Sequence, residues 1–171
     1  MADTSVQHKA EAWVIEHGLP KLFPAISFAG RKLKLTWGGS FAFDAVSNDG
    51  AIVAAISTSA ARTATGKLAT AKFQKLKTDA LYLLHLETDA RRVMVFTEES
   101  MYEYFKKAVV AGRFPPTIEL LHVPLPADLH AQVLASREVA SNETSPNNVS
   151  KKSQGSGLNG TKLSHFSKGT S

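Results

Sequence analysis

The 171-residue chain contains no cysteine, which excludes disulfides, thiolate zinc sites and cysteine nucleophiles together. It also lacks an apolar run near the roughly 18 residues that cross a bilayer, and it does not open with a basic segment followed by an apolar one. No two of its histidines have the i, i+4 spacing of a helical zinc site. We therefore expect a soluble, cytoplasmic protein without a membrane partner, in which any metal has oxygen or imidazole ligands.

Acidic residues are fewer than basic ones, 15 against 20, and the formal net charge is +5. Residues 141–171 contain four lysines and one acid, Glu143, and so carry +3 of this charge. Residues 1–140 are therefore only mildly basic. A run without any acid, residues 60–78, carries Arg62, Lys67, Lys72, Lys75 and Lys77. Such a run predicts phosphate contacts to nucleic acid, DNA in preference to RNA, and its alternative is an ordinary solvated helix face.

Apolar residues are nearly missing from residues 141–171, which are rich in Ser, Asn, Gly and Lys. A segment of this composition cannot offset the entropy of ordering its backbone. We therefore expect a disordered tail at 141–171 and one folded domain at 1–140.

Within that domain, hydrophobic periodicity and turn residues predict an alternating series of elements. The first helix opens with a capping box, Thr4-x-x-Gln7, and is expected to close at Gly18 with Pro20 beyond. The predicted helices are 3–17, 65–86, 98–112 (capped by Thr97) and 127–140, and the predicted strands are 31–37, 41–46, 51–58, 91–97 and 117–123. The order α-β-β-β-α-β-α-β-α predicts an α/β protein with a mixed sheet flanked by helices.

One hairpin, "FAFDAVSNDGAIVAAISTS" at residues 41–59, places a carboxylate among apolar residues. A type I′ turn centred on Asp49-Gly50 would put Asp44 directly opposite Ala55, with Ser57 on the same face of the sheet. The sequence thus predicts a patch of three residues: Asp44, Ala55 and Ser57.

The αβββαβ order, with this aspartate late in the second strand and "IVAAISTS" following it, resembles the PD-(D/E)XK nuclease superfamily, which has the restriction-endonuclease-like fold. The resemblance covers roughly residues 3–97 and implies an αβββαβ core, with an extra strand and helix after it. In that superfamily the second strand supplies an Asp and the third an acid-x-Lys triplet. The two carboxylates bind Mg²⁺, and the lysine positions or activates water and stabilises charge on the phosphate.

By this resemblance Asp44 matches the family aspartate, while Ala55 stands at the acid position and Ser57 at the lysine position. One carboxylate is a weak Mg²⁺ site, and serine is neither a cation nor a base near neutral pH. The resemblance therefore implies a degenerate nuclease domain, not an enzyme and without a cofactor, that binds nucleic acid or regulates a nuclease system.

Two alternatives remain open. An active Mg²⁺-dependent deoxyribonuclease could use a carboxylate from the first helix, Glu11 or Glu16, and a cation from the next helix, Lys67 or Lys72; Ala55 and Ser57 could equally be substitutions in an active parent. A protein-interaction module could retain only the scaffold and bind a protein partner or a second copy of the chain. In the leading reading, Arg62, Lys67, Lys72 and Lys75 contact nucleic acid.

Overall fold

The computed structural model describes residues 5–143, in which five strands form one sheet with helices on both faces. The strands are β1 (Phe28–Lys34), β2 (Ser40–Ser47), β3 (Ile52–Ser57), β4 (Arg91–Phe96) and β5 (Glu119–His122). The helices are α1 (Ser5–Trp13), α2 (Leu19–Leu22), α3 (Thr70–Leu84), α4 (Glu99–Val110) and α5 (Ala127–Glu143). A π-helical segment, Val14–Gly18, joins α1 to α2.

The sheet is mixed and its strands lie in chain order, β1-β2-β3-β4-β5. β1, β2 and β3 pair antiparallel, whereas β3, β4 and β5 pair parallel. Parallel neighbours need crossover connections, which α3 and α4 supply. The predicted α/β class, with a meander joined through a helix to a crossover strand, is confirmed. The narrower assignment to a restriction-endonuclease-like core stays a prediction.

Each face of the sheet packs against its own layer of helices. Along β3, Val53 and Ala55 belong to the core under α3 and α4, whereas Ala54 and Ile56 belong to the core under α1 and α5. All six β3 residues are buried. Because both faces of this strand are covered, its first five residues are all apolar and do not alternate with polar ones.

The first helical region does not end at Gly18 as predicted, because the chain continues through the π-helical segment into α2. Gly18 has a right-handed backbone, with φ of −72°, and is not a left-handed cap. A Cβ atom at this position would lie 2.6 Å from Val123 Cγ1, so the glycine permits close packing against the residue that follows β5. Pro20 lies in the first turn of α2, where its missing N–H has no cost. The predicted cap Thr4 lies outside the described residues.

The second long helix begins at Thr70, five residues later than predicted. Residues 61–69 instead form a short hairpin, in which Arg62 bridges Leu68 and the Ala69 N–H donates to the Ala61 carbonyl over 3.0 Å. Gly66 turns this hairpin with φ of +79°, a conformation that glycine adopts without strain. The segment, called here the basic hairpin, carries Arg62 and Lys67 exposed.

The predicted cap of α4 is also corrected, because the N-cap position is Glu98 and not Thr97. The Thr97 hydroxyl is buried and finds no hydrogen-bond partner among the described residues. At the other end of the domain, α5 ends at Glu143, and the tail predicted to be disordered lies outside the described residues from position 144 onward. In the described part of the chain, none of the helices has the length and apolar character needed to cross a membrane.

Candidate functional site

The register of the central hairpin is the predicted one, although its turn is not. Ala45 lies opposite Ala54 and Val46 opposite Val53, and the same register places Asp44 opposite Ala55. The turn is closed by the Gly50 N–H, which donates to the Ser47 carbonyl over 2.9 Å. A type I′ turn requires positive φ at both central residues, and among the described non-glycine residues only Ala25 has positive φ. The predicted type I′ turn is therefore wrong.

Side-chain hydrogen bonds explain why the loop adopts this other turn. The Asp49 carboxylate accepts from the Ser47 hydroxyl over 2.6 Å and from the Ala51 N–H over 3.0 Å. The Ser47 hydroxyl in turn accepts from the Ile52 N–H over 2.9 Å. Asp and Ser side chains commonly replace backbone partners in turns, and here they hold the register that a two-residue turn would have given.

A β-bulge in β2 includes Asp44 and changes the direction of its side chain. Ala29 pairs with Val46 and Arg31 with Phe43, so Asp44 and Ala45 together face the single residue Gly30. A bulge of this kind bends its strand and redirects the side chains next to it. As a result Phe43 and Val46, three positions apart, both reach the core under α3 and α4.

Asp44 uses its carboxylate in place of a backbone carbonyl. Its Oδ2 accepts a hydrogen bond from the Ile56 N–H over 2.7 Å, just beyond the last backbone pair between the two strands, Ala45 with Ala54. Burial raises the pKa of Asp44 above its ordinary value, although the Ile56 N–H and the positive charge of Lys75 act in the opposite direction. The carboxylate is therefore a poorly solvated group with one structural partner.

The other two residues of the predicted patch offer no metal ligand of the kind that the resemblance requires. Ala55 is 4% exposed and belongs to the core under α3 and α4. Ser57 is 7% exposed, and its hydroxyl accepts from the Ser59 N–H over 3.3 Å. Because they lie two positions apart on β3, Ala55 and Ser57 share one face of the strand. That Asp44 belongs to the same patch stays a prediction.

A small cleft of about 70 Å³, called here the α1–α3 cleft, opens beside these residues. Gln7 and Glu11 of α1 form one wall, and Lys72, Lys75 and Leu76 of α3 form another. The end of β3 lies between the two walls; it contributes Ile56, Ser57, Thr58 and Ser59. The fold thus brings an acid from α1 and two lysines from α3 to the end of the strand that faces Asp44.

Glu11 interacts electrostatically with the site. Burial raises the pKa of Glu11, and the negative charge of Asp44 raises it further. His8, whose Nδ1 lies 3.5 Å from Glu11 Oε2, and Lys75 act in the opposite direction. Two carboxylates whose charges disfavour each other therefore face one lysine.

Lys75 is held at the cleft by Asp79, one helical turn further along α3. Lys75 Nζ lies 2.8 Å from Asp79 Oδ2, and Asp79 is only 5% exposed. Partial burial would lower the pKa of Lys75, but the hydrogen bond and charge of Asp79, with the charges of Asp44 and Glu11, outweigh it and raise this pKa. Asp79 is a functional candidate that the sequence reading missed. Its signal was an acid four residues after a lysine, on the helix face that otherwise carries apolar residues.

The remaining predicted residues lie elsewhere. Glu16 is exposed in the π-helical segment and does not line the α1–α3 cleft. Lys67 is exposed in the basic hairpin, ahead of α3. Arg62 donates from Nη1 to the Gly66 carbonyl over 2.8 Å and lines a different groove. Of the acids and lysines proposed to rebuild a nuclease site, Glu11 and Lys72 line the α1–α3 cleft, and Glu11 and Lys75 are the two residues of the cleft whose charges act on Asp44 or respond to it.

Within residues 5–143, no group of three or more acidic or histidine side chains is arranged to hold a metal ion. No protein-family model, curated protein or solved structure matches this chain.

Proposed function

We propose that this chain is a nucleic-acid-binding domain related to PD-(D/E)XK nucleases, with a catalytic site too degenerate to hold Mg²⁺. One observation carries the proposal: the register of β2 and β3 places Asp44 opposite Ala55 instead of an acid, while Lys72 and Lys75 of α3 line the α1–α3 cleft at the end of β3. The strand order, with β2 antiparallel to its neighbours and a parallel crossover through α3, is compatible with this relationship.

The residues present do not fit a Mg²⁺ ion. This ion requires near-octahedral oxygen ligands and is usually bound through more than one anionic group. Asp44 already accepts a hydrogen bond from Ile56, Ala55 has no ligand atom, and the Ser57 hydroxyl is buried. Hydrolysis that depends on a metal at this position is therefore not expected.

Binding is attributed to the exposed cations of the basic hairpin and α3. Arg62, Lys67 and Lys72 are exposed, and none of them is paired with a carboxylate among the described residues. Lys75 is partly neutralised by Asp79 and contributes less. Lysine and arginine contacts to phosphates give binding that depends strongly on salt and little on sequence.

The test is a fluorescence-anisotropy titration of duplex DNA, single-stranded DNA and RNA over a range of salt concentrations. The variant Lys67→Gln/Lys72→Gln is compared with Lys107→Gln/Arg113→Gln, which removes two exposed cations at the end of α4. Loss of two phosphate contacts should lower the slope of log K against log salt by about 1.8 on duplex DNA, at roughly 0.9 per contact. The α4 variant should keep the native slope. Absence of binding to all three nucleic acids at low salt would refute the proposal and favour a protein-interaction scaffold.

A second candidate is an active Mg²⁺-dependent deoxyribonuclease that uses Glu11, Asp44 and Lys75. The observation in its favour is that the charges of these three residues act on one another across the cleft. Plasmid and single-stranded DNA are incubated with the native chain in Mg²⁺ and in Mn²⁺, beside Asp44→Ala and Glu11→Gln. Cleavage that disappears in both variants would replace the leading proposal with this one.

A restoration variant tests the relationship to nucleases itself. Ala55→Glu/Ser57→Lys returns the acid and the lysine to the positions that the resemblance assigns them. If this variant folds, as judged by circular dichroism, and gains Mg²⁺-dependent cleavage that Asp44→Ala abolishes, the relationship is supported. A folded variant without cleavage counts against it.

A further inference from the structure

A larger groove, of about 420 Å³, lies between residues 60–65 and α5; it is called here the α5 groove. Its polar lining residues are Arg62, Thr63, Thr65, Arg137 and Glu138, and its apolar ones are Ala60, Ala64 and Leu134. The volume is within the range of about 300 to 1,000 Å³ that is common for small-ligand sites. The groove follows the carboxyl end of β3, and ligands of open α/β sheets commonly bind at the carboxyl ends of parallel strands.

Arg137 has a donor without a partner. One nitrogen of its guanidinium, Nη2, donates to the Thr58 carbonyl and lies 2.9 Å from Glu98 Oε1. The other, Nη1, is buried and has no hydrogen-bond partner among the described residues. Buried polar groups are nearly always paired, so this donor, on an arginine that lines the groove, indicates an acceptor beyond the described residues, and a bound anion is one such acceptor. A guanidinium with one side anchored is well suited to bind a phosphate or carboxylate.

The opposite wall adds donors of the same kind. Arg62 is held in place by its hydrogen bond to the Gly66 carbonyl, so its charge is fixed at the groove. Thr63 and Thr65 lie beside it, with their hydroxyls 2.9 Å apart; one hydroxyl donates to the other, which leaves the pair one O–H to donate to an anion. Two arginines and a threonine hydroxyl therefore line one groove from two walls and can together donate to one anionic group.

The remaining residues that line the groove limit the kind of molecule whose anionic group can bind there. Leu134 is 43% exposed and lies with Ala60 and Ala64, which provides an apolar surface for a ring or sugar. Glu138 would repel a polyanion that runs along the groove, but it can accept hydrogen bonds from a sugar hydroxyl or a base. A terminal phosphate has a second ionisation near pH 6 and so bears more charge than an internal phosphodiester, which suits two arginines.

We propose that the α5 groove binds the phosphorylated end of a nucleic-acid strand, with Arg62 and Arg137 on the terminal phosphate and Leu134 against the terminal nucleotide. This inference rests on the proposed function, because it takes the ligand to be a nucleic acid. It adds recognition of a strand end to the sequence-independent contacts of the basic hairpin and α3.

The experiment uses the full chain and fluorescein-labelled single-stranded DNA 12-mers that carry a 5′-phosphate, a 3′-phosphate or only hydroxyl ends. We expect one phosphorylated end to be bound roughly tenfold more tightly than the hydroxyl ends, as for one added charge-assisted hydrogen-bond pair. Adenosine 5′-monophosphate serves as the free-nucleotide arm. If it displaces the phosphorylated strand at an equal concentration, the groove takes free nucleotides and the assignment to a strand end is overturned.

Variants separate this inference from the proposed function. Arg62→Gln and Arg137→Lys should each remove the preference for the phosphorylated end. The lysine keeps a positive charge beside Glu98 but has only one nitrogen, so it cannot bind Glu98 and the phosphate through separate nitrogens as arginine can. Lys107→Gln, far along the chain on α4, should retain the preference. Equal binding of phosphorylated and hydroxyl ends by the native chain overturns the inference and leaves the proposed function standing. If none of the strands binds at low salt, the proposed function is refuted, and this inference, which rests on it, is refuted with it.

Discussion

Replacement of Asp44 by alanine and by asparagine separates the structural role of this carboxylate from its charge. In Asp44→Ala the Ile56 N–H, at a residue only 4% exposed, loses its acceptor. A hydrogen bond to a charged group contributes about 1.5–3 kcal/mol, and a buried donor left unpaired costs a similar amount. Relief from burying the carboxylate offsets part of this loss, so we expect the free energy of unfolding to fall by about 2 kcal/mol.

Asp44→Asn keeps a side-chain oxygen at the same distance from Ile56 and removes the charge. Its stability should therefore equal or exceed that of the native chain at neutral pH. Urea and thermal unfolding followed by circular dichroism measure both variants, and a loss of 2 kcal/mol corresponds to a fall of roughly 4–8 °C in Tm. If Asp44→Asn is as destabilised as Asp44→Ala, or if neither differs from the native chain, the hydrogen bond to Ile56 is not what this side chain contributes.

The pH dependence of the same comparison has a definite sign. Because burial raises the pKa of Asp44 in the folded protein, the folded state keeps this proton to higher pH than the unfolded chain does. The contribution of Asp44 to the free energy of unfolding is therefore fully present below the ordinary carboxyl pKa and is lost as the pH rises through the raised pKa of the folded state. The advantage of Asp44→Asn should grow across that window and then level off. Since the pKa of Glu11 is also raised, the comparison is repeated in Glu11→Gln, where the same trend should persist.

Three further changes test other parts of the structure by urea unfolding. Gly18→Ala should cost about 1–3 kcal/mol, because its Cβ would lie 2.6 Å from Val123 Cγ1; unchanged stability would mean that the two elements do not pack this closely. Lys75→Met should lower the free energy of unfolding by about 1–2 kcal/mol, because it leaves the buried Asp79 carboxylate unpaired. Asp79→Asn should cost less, because the exposed Lys75 side chain can then move into water. The opposite order would contradict the burial of Asp79. Ala55→Glu alone should destabilise the fold by about 3 kcal/mol or more, since it buries a second acid near Asp44, and a neutral effect would show that this position is open to solvent.

Local signals in the chain predicted most of the elements. Apolar runs bounded by turn residues located β2, β3 and β4 to within a residue or two, and a first turn carrying acids located α4. These signals succeed because backbone conformation here depends on residues close in sequence. The central register was also predicted correctly, even though the turn that produces it was not, because the Ser47 and Asp49 side chains hold the strands in the pairing that a two-residue turn would give.

Glycine and the start of α3 show where local reading failed. Gly18 was interpreted as a helix cap, but its lack of a side chain serves contact with Val123, more than one hundred positions away. Residues 65–69 of the basic hairpin were interpreted as the first turn of a helix, although their conformation depends on the bridge between Arg62 and Leu68. The first interaction is distant in the sequence, whereas the second is a pairing six residues apart that helical periodicity does not reveal.

The sequence by itself determined the order of the elements, the basic run at residues 60–78 and the presence of Ala55 and Ser57 on the strand that pairs with the Asp44 strand. These follow from residue types and from periodicities that act over a few positions. Only the tertiary structure decided that Glu11 and Lys75 face Asp44, that Asp79 pairs with Lys75, and that Arg62 and Arg137 share a groove. The physical reason is that a β-bulge and the packing of α1, α3 and α5 around the end of β3 set those distances, and both depend on contacts between distant parts of the chain.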